Sequence, residues 1–151
     1  SIPDPIIQNV YGLTIQPDGG SLTMVDSYEV IDENTSVWTT KLVKVTSEGV
    51  LDTTYGEGTG MVDMTFDAYT VGFVTDTTTG KTTVLGSYWS DSEQPVEIKT
   101  LMRFNDDGAI DTSFGDNGSV SFDFMQDDWF FYENMAIQTD GKIILKPSII
   151  I

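Results

Sequence analysis

The feature of this chain that most constrains its fold is a glycine that returns at Gly19, Gly80 and Gly141, a spacing of 61 residues both times (80 − 19 and 141 − 80). The segments around the first and third glycines are nearly the same, IQPDG at 15–19 and IQTDG at 137–141. Self-similarity at a fixed period is typical of stacked or radially arranged supersecondary units. The sequence therefore predicts a repeat protein, with Asp18 and Asp140 beside the glycines of equivalent turns.

A second motif alternates with the first. The segment EGVLDTTYG at 48–56 returns as DGAIDTSFG at 107–115, a shift of 59 residues (107 − 48). Asp, Ser and Thr side chains accept hydrogen bonds from nearby backbone amides, and glycine adopts a positive φ without strain. We predict that Asp52, Gly56, Asp111 and Gly115 organise turns, because a structural device recurs in every repeat whereas a catalytic site usually does not.

Each repeat is predicted to contain four short strands. In the first repeat these are 13–16, 22–25, 38–46 and 61–67, and in the second 72–75, 82–88, 96–105 and 119–124. The fourth strands should place Val62, Met64 and Phe66 on one face, equivalent to Val120, Phe122 and Phe124. Four antiparallel strands per unit, at a period somewhat above the ~40–50 residues of common propeller repeats, indicate propeller blades with long loops. A β-sandwich or solenoid is the alternative.

The predicted fold class is thus all-β, an incomplete propeller-like array of about two and a half four-stranded antiparallel meander units. The expected divisions are an N-terminal extended segment at 1–9, units at 10–68 and 69–129, and a partial unit at 130–151. Closed propellers use about four to eight blades, so this chain cannot close a ring alone. We expect the missing strands to come from a larger parent protein or from identical copies, through exposed strand edges.

Charge and composition exclude several classes of function. Seven Lys and Arg residues against 24 Asp and Glu give a formal charge of −17, which repels phosphate backbones and anionic lipids. The chain has no Cys and no His, so disulfides, thiolate nucleophiles and the usual neutral general base are absent from it. No apolar run approaches the ~20 residues of a membrane-spanning helix. We therefore expect no nucleic-acid partner and no membrane span.

Three groups of residues are weighed as functional sites. Asp106, Asp107, Asp111 and Asp116 form an oxygen-rich group that is a weak Ca²⁺ candidate, although their spacing does not fit an EF-hand and solvated turns are favoured. Trp129, Phe130 and Tyr132 are a candidate surface for sugars or proteins, with burial between units favoured instead. The acids at 63, 67, 123, 127 and 128 could supply the two carboxylates of a glycosidase, but their position at solvent-facing strand ends is explained without catalysis. No catalytic or cofactor-binding residue is assigned.

The two motifs, IQPDGG at 15–20 with IQTDGK at 137–142 and LDTTYG at 51–56 with IDTSFG at 110–115, resemble the bacterial delta-60 repeat family. The most specific stretch is MRFNDDGAIDTSFGDNG at 102–118. The sequence departs from the pattern at 76–80, where the turn is longer by one residue, and at 146–148, where Pro147 interrupts an expected strand. The resemblance implies β-propeller blades in tandem arrays of secreted or surface-associated bacterial proteins, with no shared enzymatic activity.

The function expected from these observations is that of a non-catalytic extracellular or cell-surface repeat module with a scaffolding, adhesion or assembly role. Two alternatives from other classes stay open. One is a calcium-dependent carbohydrate- or protein-binding propeller domain, and the other is a fragment of a carbohydrate-active enzyme.

Overall fold

A computed structural model of the chain describes residues 6–32, 35–64, 69–91, 93, 95, 97–122 and 131–148. These residues form three antiparallel sheets, and the one helical segment among them is a 3₁₀ turn at Gly56–Gly58. Two sheets are four-stranded and follow the order of the chain, while the third has two strands. The predicted fold class is confirmed: the chain is all-β and is built from open, four-stranded antiparallel meander units like those of propeller blades.

The chain divides into two compact bodies, residues 1–65 and 66–151. The first contains β1 (Ile6–Ile15), β2 (Ser21–Val30), β3 (Ser36–Val45) and β4 (Met61–Met64). The second contains β5 (Tyr69–Thr75), β6 (Thr82–Trp89), β7 (Glu97–Phe104) and β8 (Ser119–Phe122), followed by β9 (Phe131–Ile137) and β10 (Ile143–Ser148). Each strand pairs antiparallel with the next one in its sheet.

Strands β1 and β2 are longer than the sequence predicts, with ten residues each instead of four. The extra residues of β1 include the apolar Ile6, Ile7 and Val10, whereas most of the extra length of β2 is polar and therefore escapes a search for apolar alternation. Cross-strand pairs hold it, because Ser27 lies opposite Thr39 with their hydroxyl oxygens 2.8 Å apart, and Asp26 lies opposite Thr40. Such pairs stabilise a sheet without burying apolar surface.

The core of the first meander follows the pleat of its strands. Leu22 and Met24 are buried on one face of β2, and Leu42 of β3 lies opposite Met24. On β4, Val62 is half-buried, Asp63 is exposed and Met64 is buried, as the alternation predicts. Phe66, the third member of that predicted face, lies outside the described residues.

The core of the second body joins its four-stranded sheet to the β9–β10 hairpin. Leu85 and Leu101 are buried, and the residues packed against them are Phe114, Phe122, Met135, Ile143 and Leu145. Val120, expected to face the core, is 37% exposed. Val120 lies on β8, opposite Leu101 of β7. Because β8 is the edge strand of this sheet, no strand in the described part of the chain covers its outer side. Phe124 is not among the described residues.

Both departures from the repeat pattern are visible in the backbone. The β5–β6 turn closes from Asp76 to Lys81, one residue longer than the β1–β2 turn from Gln16 to Gly20. Strand β10 runs through Pro147, and its pairing with β9 shifts register between Lys146 and Pro147. Since proline gives no ladder donor, the strand is distorted at that point, and β9 is its one partner among the described strands.

Candidate functional site

The loop that follows β3 is built around one carboxylate. Asp52 Oδ1 accepts hydrogen bonds from the backbone N–H of Thr54 at 2.9 Å and from its hydroxyl at 2.6 Å. The backbone N–H of Tyr55 donates to the Asp52 carbonyl at 3.0 Å, and the Tyr55 side chain is buried. The carboxylate thus holds the chain in a tight turn whose aromatic side chain is buried.

The loop that follows β7 repeats these contacts in the second body. Asp111 Oδ1 accepts from the backbone N–H of Ser113 at 3.2 Å and from its hydroxyl at 2.5 Å. The N–H of Phe114 donates to the Asp111 carbonyl at 3.0 Å, and Phe114 joins the hydrophobic core. We call these two segments, residues 52–56 and 111–115, the Asp loops.

Both Asp loops end on a glycine that no other residue can replace without rearrangement. Gly56 and Gly115 have φ values of +59° and +55°. A Cβ on Gly56 would lie 1.9 Å from the Met61 carbonyl oxygen, and one on Gly115 would lie 2.0 Å from the Ser119 carbonyl oxygen. Backbone conformation and close approach of the next strand therefore impose glycine independently.

In the first body one buried cation joins two acidic residues. Lys44 of β3, 7% exposed, places Nζ 3.2 Å from Asp52 Oδ2 and 3.1 Å from Asp18 Oδ2. Asp18 belongs to the β1–β2 turn, where its Oδ1 accepts from the Gly20 N–H at 2.8 Å. The ammonium thereby ties the first hairpin turn to the Asp loop.

In the second body one buried carboxylate joins two cations. Asp111, 4% exposed, receives Arg103 Nε at 2.7 Å and Lys81 Nζ at 2.8 Å, both on Oδ2. Arg103 of β7 lies in the place of Lys44, eight residues before the aspartate in each case (52 − 44 and 111 − 103). Its guanidinium carbon lies 4.4 Å from the centre of the Phe114 ring, a cation–π distance.

These contacts shift the ionisation of the groups involved. The hydrogen bonds from Thr54, more than the Lys44 charge, lower the pKa of Asp52. The Lys81 ammonium, followed by Ser113, lowers the pKa of Asp111 well below its usual range. Burial alone would lower the pKa of Lys44, but the two carboxylates outweigh it and raise that pKa. All three groups therefore stay charged near neutral pH, which suits a structural role and not proton transfer.

Three of the four calcium candidates, Asp107, Asp111 and Asp116, accept hydrogen bonds from protein groups. Asp107 Oδ1 accepts from the Ala109 N–H at 2.9 Å, and Asp116 Oδ1 accepts from the Asn117 amide at 3.3 Å. Asp111 has both oxygens occupied, as above. Across the described ranges, no group of three or more carboxylates is arranged to hold a metal ion.

The remaining predicted residues lie in turns, on β4 or outside the residues that the structure describes. Gly19 and Gly141 have φ values of +83° and +81°, and Asp140 Oδ1 accepts from the Lys142 N–H at 3.2 Å. Asp63 forms an exposed ion pair with Lys41 at 2.6 Å. Trp129, Phe130 and the Tyr132 side chain lie outside what the structure describes, as do the acids at 67, 123, 127 and 128.

The cations were missed by sequence reasoning, although a signal exists. Lys and Arg are scarce here, seven in the whole chain, yet one recurs eight residues before each loop aspartate within an apolar strand. A rare charge at a fixed place in a repeat indicates a partner for the acid beside it. The Lys81 link could not be found in this way, because Gly20 occupies the equivalent position in the first repeat.

An exposed apolar row on β1 was also missed. Val10, Leu13 and Ile15 are 64%, 65% and 58% exposed. The odd spacing between Val10 and Leu13 would place them on opposite faces, but a bulge at Gly12, with φ +67°, shifts the register. They lie opposite Val25, Thr23 and Ser21, which share one face of β2. Among the described strands β1 pairs only with β2, so this edge row borders a free strand edge.

Searches against protein-family models, curated protein sequences and solved structures found no match to this chain. Within the described residues, no helix has the length and apolarity required to cross a bilayer.

Proposed function

We propose that this chain is a non-catalytic repeat module that assembles, through its open strand edges, into a larger scaffold or adhesive structure at the cell surface or outside the cell. The observation that carries the proposal is the edge row of β1, three large apolar side chains beside backbone groups with one strand partner. An apolar strand edge is a template for another strand, since pairing satisfies N–H and C=O groups and buries the row together.

The pairing of charged side chains with one another supports a structural role. Of the seven Lys and Arg residues, the six whose side chains the structure describes all form ion pairs with carboxylates: Lys41, Lys44, Lys81, Lys99, Arg103 and Lys142. The buried carboxylates Asp52 and Asp111 accept from three and four donors, and their lowered pKa values keep them ionised near neutral pH, which supports a structural role. The resemblance to delta-60 repeats supports the same proposal, since those repeats occur in tandem arrays.

Sedimentation velocity over a wide range of protein concentration tests this proposal. Wild-type chain should form larger species as concentration rises, and the double variant L13K/I15K should not, because inserted charges on an edge strand oppose pairing. Val50→Lys is the matched control, since Val50 is 60% exposed but lies in a turn. A wild-type chain that stays monomeric at high concentration, or assembly unchanged in L13K/I15K, would contradict the proposal.

A further inference from the structure

The far end of the first meander carries an exposed pair of aromatic rings. Tyr28 of β2 lies opposite Trp38 of β3, with ring centroids 5.0 Å apart and planes tilted by 53°. Trp38 is 59% exposed although it is the larger ring. A tryptophan left in water at this level costs apolar hydration free energy that a ligand could recover.

A polar group lies on the same face, two residues along each strand. Asp26 precedes Tyr28 by two positions on β2, and Thr40 follows Trp38 by two on β3, so all four side chains share one side of the sheet. The separation along each strand is roughly 7 Å, from a rise of about 3.3 Å per residue. A polar ring lying on the aromatic pair could therefore extend a substituent to the carboxylate.

The Asp26 carboxylate is held in a fixed orientation. Its Oδ1 accepts from the Thr40 hydroxyl at 2.8 Å, and its Oδ2 accepts from the Tyr11 hydroxyl at 2.6 Å. That hydrogen bond, with Asp26 as acceptor, raises the pKa of Tyr11, so the phenol remains a donor. Each carboxylate oxygen has a second lone pair, which leaves Asp26 able to accept from two further hydroxyls.

These features together select one chemical class of ligand. The C–H face of a pyranose ring is apolar and weakly positive, and it is attracted to the negative face of an indole. Its hydroxyl groups are the donors that an ionised carboxylate binds best. Nucleobases also stack on aromatic rings, but the formal charge of −17 repels the phosphates of nucleotides and nucleic acids. The same repulsion excludes acidic polysaccharides.

We propose that Trp38, Tyr28 and Asp26 form a binding site for an uncharged saccharide, with Trp38 as the stacking platform and Asp26 as the hydroxyl acceptor. This site shares no residue with the edge row of β1 or with either Asp loop. It acts without calcium, because its acceptor is a carboxylate fixed by protein hydroxyls.

The second meander provides a matched control. Trp89 of β6 is 58% exposed, almost the same as Trp38. Its cross-strand neighbour is Glu97 instead of an aromatic residue, and Glu97 is paired with Lys99 at 2.6 Å. Exposure alone would make the two tryptophans equivalent, whereas the proposal assigns binding to Trp38.

NMR titration of the full 151-residue chain tests the site with maltohexaose, cellohexaose and chitohexaose as probes. Its three tryptophans give three indole N–H signals, and Trp38→Phe and Trp89→Phe identify two of them by loss of a peak. At least one probe should shift the Trp38 signal in a saturable way and leave the Trp89 signal in place. Adding a chelator should leave the shift unchanged.

Substitutions separate binding from folding. Trp38→Ala should weaken binding at least about tenfold, Asp26→Asn should weaken it without changing the thermal midpoint greatly, and Trp89→Ala should bind as the wild type does. Absence of a saturable shift with all three probes would overturn the proposal. So would equal binding by Trp38→Ala and wild type, or a shift at Trp89 alone. A tetranucleotide that shifted the Trp38 signal more than any sugar would also reject the assigned class.

Discussion

The two Asp loops have equivalent backbone hydrogen bonds, but the ion networks around their aspartates have opposite net charge. In the first body one ammonium, Lys44, lies between two carboxylates, whereas in the second one carboxylate, Asp111, lies between two cations. The backbone hydrogen bonds of Thr54 and Ser113 to their aspartates are equivalent in the two loops. What the repeat preserves is therefore the turn and the compensation of each buried charge, while the identity of the compensating residues can change.

The origin of the difference lies in the first hairpin turn of each body. Asp18 supplies the second carboxylate in the first body, and the longer turn of the second body supplies Lys81 instead. Asp76 keeps the turn closed there by accepting from the Thr78 N–H at 2.8 Å. The first turn is thus linked to its Asp loop through Lys44, which pairs with both acids, whereas the second turn is linked directly by the Lys81–Asp111 ion pair.

The largest effect should come from the glycine that both loops require. Gly115→Ala should lower the free energy of unfolding by about 3 kcal/mol, the sum of left-handed strain and overpacking against the Ser119 carbonyl. Gly49→Ala is the control, because Gly49 has φ +82° but no atom within 4 Å of a Cβ, so it should cost about 1 kcal/mol. Urea unfolding measures the loss of unfolding free energy in both variants. Equal losses would contradict the prediction, because they would show that the structure shifts to relieve the contact between a Cβ at Gly115 and the Ser119 carbonyl.

The next effect distinguishes the two ion networks. Asp111→Ala should cost about 2 kcal/mol, because two cations lose the carboxylate they share, with a discount for their partial exposure. Asp52→Ala should cost about 1 kcal/mol, since Lys44 keeps Asp18 at 3.1 Å. Denaturant midpoints at pH 7 give the comparison. A larger loss for Asp52→Ala would show that the compensation argument is wrong.

Low pH should reduce the difference in the free energy of unfolding between the wild type and a variant with a neutral residue at Asp111. The folded-state pKa of Asp111 is depressed below the ordinary value of 3.8, so its stabilisation is present above that value and is lost as the pH falls through the folded pKa. The stability gap between wild type and Asp111→Asn should be constant from pH 7 to about 5 and should narrow below about pH 4. A gap that widens in acid would contradict the assigned sign.

The smallest effect is expected in the third turn. Lys142 Nζ lies 2.6 Å from Asp140 Oδ2, but their side chains are 75% and 48% exposed. An exposed pair of this kind is screened by solvent and contributes little. Lys142→Ala should leave the thermal midpoint unchanged within error, and a clear loss would show that this turn depends on its ion pair in the way the first two do.

Much of the fold could be predicted because the residues that recur in the repeat are those that form its turns. The glycines and aspartates of the turns act through local backbone geometry, so their sequence spacing places the strands between them. The polar half of β2 could not be predicted, since residues such as Ser27 hold it by cross-strand hydrogen bonds to β3. The edge row depends on the β1–β2 register, which a bulge at Gly12 shifts, and the Tyr28–Trp38 pair depends on the β2–β3 register. Local sequence reveals neither register.

The central claim is that the β1 edge with no partner among the described strands is an assembly surface. It is tested most directly by amide hydrogen exchange of the 151-residue chain at low and high concentration. The account predicts that amides of Val10–Ile15 gain protection as concentration rises, that the β2 and β3 amides do not change, and that L13K/I15K abolishes the gain. Protection of the β1 amides that is independent of concentration in the wild type would contradict the claim.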